Sequence, residues 1–312
     1  MIVALAGGVG GSKLVEGLAH LVSPPEDLVV VVNTADDEEF YGLYVSPDLD
    51  TVMYTLAGIV NRDSGWGVED DTFEALGMLG RYGEETWFRL GDRDLATHIL
   101  RTRELRQGKS LTEVTAGLTR RLGVRARILP MSDDPVRTIV QTSEGEVAFQ
   151  EYFVKRRASD PVVGVRFEGV DRARPTPQVL SALREAEMIV VCPSNPIVSI
   201  GPILSLPGFR EALREAQAVK VAVSPLAAGR AFKGPTVEMM QGLGYEASSF
   251  GVISLYCDFL HVALIDESDA ELTPRIQELG IRVVVRSIAM RTLEEKVALA
   301  KAVLEVASLG RG

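Results

Sequence analysis

A chain of 312 residues with 46% hydrophobic content and a net charge of −10 is long enough to bury a substantial core, in one large domain or two smaller ones. The acidic balance argues against nonspecific nucleic-acid binding, which relies on basic surfaces, yet leaves room for an anionic small substrate neutralised locally by lysines, backbone amides and a metal. The two cysteines, Cys192 and Cys257, are too few for a disulfide framework or a thiolate zinc site; with no apolar stretch of membrane-spanning length and no basic segment before the first apolar run, a soluble cytoplasmic protein is expected.

The first predicted element is a short buried strand, Ile2 to Ala6. It runs through GGVGGSK into a helix whose apolar face is Leu14, Leu18 and Leu21. A strand feeding a helix through glycines suggests a phosphate cradle. Backbone N–H groups approach an anion closely there, and the helix dipole favours negative charge. Gly8, Gly10, Gly11, Ser12 and Lys13 are its candidate contacts. A Walker A loop would need glycine directly before its lysine, where Ser12 stands, and a G-x-G-x-x-G fingerprint from Gly8 would put Lys13 at its third glycine. The loop matches neither pattern, and a tight turn packing helix on strand is the plainer alternative.

LVVVV at 28–32 reads as a parallel strand buried on both faces; it ends at NTADD, with Asn33, Asp36 and Asp37. Leu49, Val52, Met53, Leu56 and Val60 recur at helical spacing, and helices continue to about residue 122, one of them opened by a Ser110–Glu113 capping box. RARIL, RTIVQT and VAFQEYFV then read as strands, the last two joined by a turn at Ser143–Gly145. From 175, MIVVCP, VKVAVSP, HVALID and IRVVVR read as buried strands, and 291–308 as a closing amphipathic helix striped by Leu293, Val297, Ala300 and Leu304. The expected fold is α/β: a Rossmann-like parallel sheet with helices on both faces and an inserted helical and β-rich subdomain. Residues 1–60 begin the nucleotide-binding domain, 61–174 form the insertion, and 175–312 complete the domain.

In open parallel sheets, ligands bind outside the carboxyl ends of the strands. GGVGGSK, NTADD, PSNP and the SP after VKVAV should therefore converge on one crevice. Aspartates dominate its chemistry: Asp36 and Asp37, Asp48 and Asp50 in SPDLDT, Asp92 and Asp94 in LGDRDLATH, Asp133 and Asp134. Carboxylates beside a diphosphate serve to hold magnesium, and one can take a proton from an attacking hydroxyl. Asp48 and Asp50 are the expected metal ligands and catalytic pair, although both also fit an N-cap. Asp36 could instead meet a ribose. Arg89 and Arg93 offer bidentate contacts to an anion, Ser194 and Asn195 offer donors from a loop fixed by prolines, and His98 reads as a packed or surface residue within a helix.

Several of these segments together resemble the 2-phospho-L-lactate transferases of coenzyme F-420 biosynthesis. The matching stretches are AGGVGGSKL, VNTADD, YGLYVSPDLDTVMYTLAG, GWGVEDDTFEALGMLG, TWFRLGDRDLATH, LPMSDDPV, FQEYFV, CPSNPIVSIGPIL and AVSPLAAGRAFKGPT. They run in family order from residue 4 to about 236, and SPDLDTVMYTLAG with WFRLGDRDLATH is the specific part. The resemblance implies a magnesium-dependent transfer of a phospho-acid (2-phospholactate, or a phosphoenolpyruvate or phosphoglycerate group). The donor would be a guanosine diphosphate ester, and the acceptor the ribityl hydroxyl of the deazaflavin 7,8-didemethyl-8-hydroxy-5-deazariboflavin (Fo), with release of GMP. It also implies a homodimer, and it puts Asp50 and Arg89 at the deazaflavin. Met53, Tyr54 and Trp87 are candidates for an apolar wall against its flat ring. A related family of UDP-sugar-binding regulatory proteins shares a similar glycine loop and N-T-x-D-D turn, and is the alternative, without catalysis.

Overall fold

The computed structural model describes residues 1–231 and 234–309. Seven parallel strands form the central sheet: β1 (Ile2–Ala6), β2 (Leu28–Val32), β3 (Arg127–Pro130), β4 (Met188–Val191), β5 (Val219–Val223), β6 (Val262–Ile265) and β7 (Arg282–Val285). Their order is β7-β6-β5-β4-β1-β2-β3. Ala4 pairs with Val30 on one side and Val190 on the other. The apolar runs are continuous because each central strand is covered on both faces. Val3, Leu5, Val29 and Val31 belong to one core cluster; Ala4, Ala6, Val30 and Val32 belong to the opposite one.

Helices cover both faces, as expected. On one side lie α1 (Gly8–Ala19), α2 (Pro47–Leu56) and the closing helix Leu293–Leu309, which bury Leu14, Leu18, Val52, Leu299 and Val303. The other side is covered by Pro177–Glu185, Ile200–Ser205 and Phe209–Glu215. Gly17 lets α1 meet the closing helix closely, since a Cβ there would overlap the Lys296 carbonyl.

Two expectations need correction. Arg127–Pro130, assigned above to the insertion at 61–174, is the edge strand of the central sheet, pairing Val30 with Ile128. The inserted material is therefore split. The helices α3 (Glu74–Arg81), α4 (Asp92–Arg106) and α5 (Leu111–Arg121) precede that strand. An antiparallel three-stranded sheet, Gly145–Ala148, Arg137–Thr142 and Val162–Glu168, follows it. The second correction is FQEYFV, which is not a strand. After Ala148 the chain coils into a single π-helical turn, Glu151–Lys155. Helical spacing brings the Phe149 and Phe153 rings into a stack 5.5 Å apart, and Gln150 donates from Nε2 to the Asp36 carbonyl at 3.2 Å. The Ser110–Glu113 capping box forms as expected.

The chain leaves β1 toward β2 and β3 in one direction, and β4 leads away through β5 to β7 in the other. A crevice therefore opens at the carboxyl ends of β1 and β4, where the strand order reverses.

Candidate active site

A cavity of about 460 Å³ occupies that crevice. Gly8, Gly10, Lys13, Asp36, Asp48, Asp50, Arg89, Ser194 and Asn195, all expected to contact ligands, line it. Gly11, Ser12 and Asn33 lie behind the wall. Ser12 is buried and donates its hydroxyl to the Val9 carbonyl at 3.0 Å. Asn33 is fully buried and spends its amide on protein partners.

The glycine loop is locked to the PSNP loop. Ser194 Oγ donates to the Gly7 carbonyl at 2.8 Å and accepts from the Gly7 N–H at 3.1 Å. A Cβ on Gly10 would overlap the Pro193 carbonyl oxygen, and one on Gly11 would stand 2.6 Å from Ser194 Oγ. These two glycines are thus required by the contact between β1 and β4 loops, independently of any ligand. Gly8 has φ +56°, the left-handed region glycine favours. Lys13, half-buried, points into the cavity, and burial followed by the Lys296 charge lowers its pKa, with Glu16 opposing.

Facing the start of α1 is an unusual pair. Asn33 Nδ2 donates to Asp36 Oδ2 at 2.9 Å and to Asp48 Oδ2 at 3.0 Å, so one amide bridges two buried carboxylates. Asp36 Oδ1 is buried with no hydrogen-bond partner. Burial raises Asp48 to about 6 despite hydrogen bonds from Asn33 and the Gly8 N–H. Asp36 is pushed well above the usual carboxylate range, by burial first and then by Asp48. Among the described residues no lysine or arginine pairs with either carboxylate within 4 Å.

Asp50 turns elsewhere. Two positions along a helix point about 200° apart, and Asp50 is held by the buried Arg101, whose Nη1 donates to Oδ2 at 3.0 Å while Nη2 donates to Oδ1. Arg101 is 1% exposed. It was not anticipated from the sequence; the readable signal is Asp94, His98 and Arg101 at i, i+4 and i+7 on α4. His98 is likewise no bystander, since it lines the cavity between Asp50 and Asp94. Asp50, Asp94 and His98 bring ligand atoms within 4.8 Å of one another. The guanidinium bound to Asp50 lies 3.3 Å from His98 Nδ1, so a dication would have to share this cluster with a fixed positive charge.

A family model described as 2-phospho-L-lactate transferase CofD matches residues 2–298. The 2-phospho-L-lactate transferase of Methanosarcina mazei is 42% identical over 304 residues, covering 97% of this chain and 99% of its own. The chain belongs to the 2-phospho-L-lactate transferase family. The phosphoenolpyruvate transferase of Streptomyces griseus is also 42% identical, with 98% of each chain covered. A crystal structure of a UPF0052 family member from Bacillus halodurans shares the fold, at a TM-score of 0.67 and 18% identity, over 97% of this chain and 98% of its own.

In this member of the transferase family, much of the remaining cavity lining is aromatic. Trp66, Trp87, Phe88 and Phe149 line it, and Tyr54 does also, whereas Met53 is in the core. Arg89 is exposed, with its guanidinium 4.2 Å from the centroid of the Phe73 ring. Trp66 sits in a loop seated on the glycine loop: a Cβ on Gly65 would stand 2.5 Å from Val9 Cγ1. Asp92, Asp71 and Asp133 serve local structure, accepting from backbone N–H groups at Glu74, Arg93 and Thr112. No helix among the described residues is long and apolar enough to cross a membrane.

Proposed function

We propose that this transferase moves a phospho-acid group from a guanosine diphosphate ester to the ribityl hydroxyl of the deazaflavin Fo, releasing GMP, as a step of coenzyme F-420 formation. The observation that carries the reading is the cavity's mixed lining. A helix N-terminus, Lys13 and the bridged carboxylates Asp36 and Asp48 share one cavity with Trp66, Trp87, Phe88, Phe149 and the exposed Arg89. A diphosphate suits the first set, and a flat ring with an ionisable hydroxyl suits the second.

A carboxylate beside a helix N-terminus that receives phosphate would repel it unless a cation intervenes. Asp36 and Asp48 fit a divalent cation on their chemistry: two buried carboxylates, no basic partner within 4 Å among the described residues, and an orphaned Oδ1 on Asp36. They, rather than Asp48 with Asp50, would hold magnesium, which when bound neutralises charge on phosphate oxygens. The chain's own residues do the rest. Backbone amides of the α1 N-terminus and Lys13 bind the diphosphate. The β1 and β4 loops, held together through Ser194, keep it in place, and Arg89 stacks on or pairs with the deazaflavin. The walls align hydroxyl and phosphorus for in-line attack, which needs positioning and charge neutralisation more than covalent help.

Incubation with Fo, magnesium and each guanylylated acid in turn, followed by mass spectrometry, tests the reading. A deazaflavin phosphodiester with one of the acids is expected; tight binding of UDP-sugars without any product would favour a regulatory role instead. The family resemblance further implies a homodimer, for which sedimentation at a monomeric mass is the opposing result.

A further inference from the structure

Aromatic residues reach the cavity from two different inserted parts of the chain. Trp87 and Phe88 come from the segment between α3 and α4, and Phe149 and Phe153 from the π-helical turn and its approach. Each group is ordered by its own ring contacts. Phe88 stacks on Phe40 with centroids 4.0 Å apart, and Trp87 meets Phe40 edge-on at 5.4 Å. The Phe149 and Phe153 rings lie nearly parallel, with 7° between their planes.

Lys155 and Glu85 connect the two groups. Lys155 Nζ donates to Glu85 Oε1 and Oε2, both at 2.9 Å, and the Trp87 indole Nε1 donates to the same Oε2 at 3.0 Å. The ammonium also stands over the Trp87 ring, 5.7 Å from its centroid, within range of a cation–π contact. The Tyr41 hydroxyl donates to the Glu85 carbonyl and holds its main chain. Of the ion pairs among the described residues, this is the one that joins the two inserted parts. One carboxylate thus receives the ammonium of one part and an indole of the other, and that indole is cavity wall.

The Lys155 and Glu85 side chains are 39% and 70% exposed, and an exposed pair contributes little to stability. Position is what this one can supply. A flat ring gains dispersion energy only from walls in van der Waals contact, and a gap of about 0.5–1 Å forfeits a quarter to a half of it. The placement of Trp87 relative to the Phe149–Phe153 stack therefore bears on how well such a ring binds. The phosphate contacts at the start of α1 belong to other elements and do not depend on it.

We propose that Lys155, acting through Glu85, positions Trp87 for the flat ring of the acceptor and so helps to set acceptor selectivity. The assignment rests on the transfer reading given above. Lys155 is a positioning residue: it touches Glu85 and the indole, and the indole meets the ring.

Two substitutions provide the test. Lys155→Met keeps the apolar stem without the charge, and Lys155→Arg keeps a cation that can bond both carboxylate oxygens. The KM for Fo should rise about two- to fivefold in Lys155→Met, the factor an exposed pair can carry, and return toward wild type in Lys155→Arg. The kcat at saturating Fo, the guanine-nucleotide affinity and the unfolding midpoint should stay near wild type in both. A second reading needs no reaction. Trp66 and Trp87 are the two tryptophans, so a Trp66→Phe background, used for this optical measurement alone, leaves Trp87 as the sole indole. Its quenching by acrylamide should increase on Lys155→Met and not on Lys155→Arg. A KM for Fo unmoved in Lys155→Met, or unchanged Trp87 quenching, overturns the assignment. So does a loss of nucleotide affinity and kcat alongside the Fo effect, which is the pattern of a merely structural role. If the wild-type protein forms no phosphodiester, the transfer reading falls and the acceptor assignment with it; product from wild type with an unmoved KM in Lys155→Met overturns this assignment alone.

Discussion

Replacing Asp48 with asparagine should make the metal-free protein more stable and the enzyme inactive. Asp48 is buried, shares Asn33 with Asp36, and is raised by burial to about 6 from the usual 3.8. Ionising it at pH 8 therefore costs the fold about 3 kcal/mol. Asparagine removes that charge but offers one acceptor oxygen where Asp48 uses its carboxylate on both Asn33 and the Gly8 N–H, a loss of about 1 kcal/mol. The net gain is about 2 kcal/mol. The sign follows from proton binding. Between the unfolded and folded pKa values the native state holds more protons than the unfolded one, so stability falls as pH rises through that window. Below about pH 4 both states are protonated and the advantage of Asp48→Asn disappears. Urea unfolding at pH 4, 6 and 8 without divalent cations reads this directly. Millimolar magnesium should raise the unfolding midpoint of wild type at pH 8 and leave that of the variant nearly unmoved. A variant less stable than wild type at pH 8, or an equal magnesium shift in both proteins, would refute the reasoning.

Arg101→Met leaves Asp50 buried without its partner and should destabilise by about 3–5 kcal/mol; adding Asp50→Asn should return most of that loss in urea unfolding, and a strictly additive double variant would show that the pair is not coupled. Gly10→Ala forces a methyl onto the Pro193 carbonyl, so unfolding midpoint and guanine-nucleotide affinity should drop together, by about 1–3 kcal/mol in stability; unchanged thermal unfolding counts against the loop contact. Arg89→Ala removes an exposed cation stacked on Phe73, and should raise the KM for Fo while shifting stability by no more than about 1 kcal/mol. Calorimetry showing a loss confined to the nucleotide would move Arg89 to the donor side.

The central sheet was legible because short runs rich in apolar, often β-branched, residues mark strands covered on both faces. Glycine, asparagine and proline loops at the ends of β1, β2 and β4 then had to meet. Arg127–Pro130 was harder: a four-residue edge strand lying close to antiparallel strands carries no local sign of which sheet it joins. FQEYFV misled through its aromatics, whose strand preference yields to the Phe149–Phe153 stack and the Gln150 bond to the Asp36 carbonyl. The separation of Asp48 from Asp50 could have been derived, since side chains two apart on a helix point in different directions. Arg101 shares a readable face of α4 with Asp94 and His98, but its pairing with Asp50 could not be read, because the two are 51 positions apart and only tertiary packing joins them. The same packing turns His98 from an ordinary helical histidine into part of the cavity wall.

The proposed function requires one cavity to hold a guanylylated phospho-acid and a deazaflavin around carboxylate-held magnesium. Phosphorus-31 NMR of a single turnover tests it most directly, with enzyme in excess over the diphosphate ester. The coupled pair of diphosphate resonances should be replaced by one phosphodiester signal and one equivalent of GMP, only when Fo and magnesium are both present, and not with Asp48→Asn. Diphosphate resonances that persist with all components present, or product formed at full rate in chelator, would contradict it.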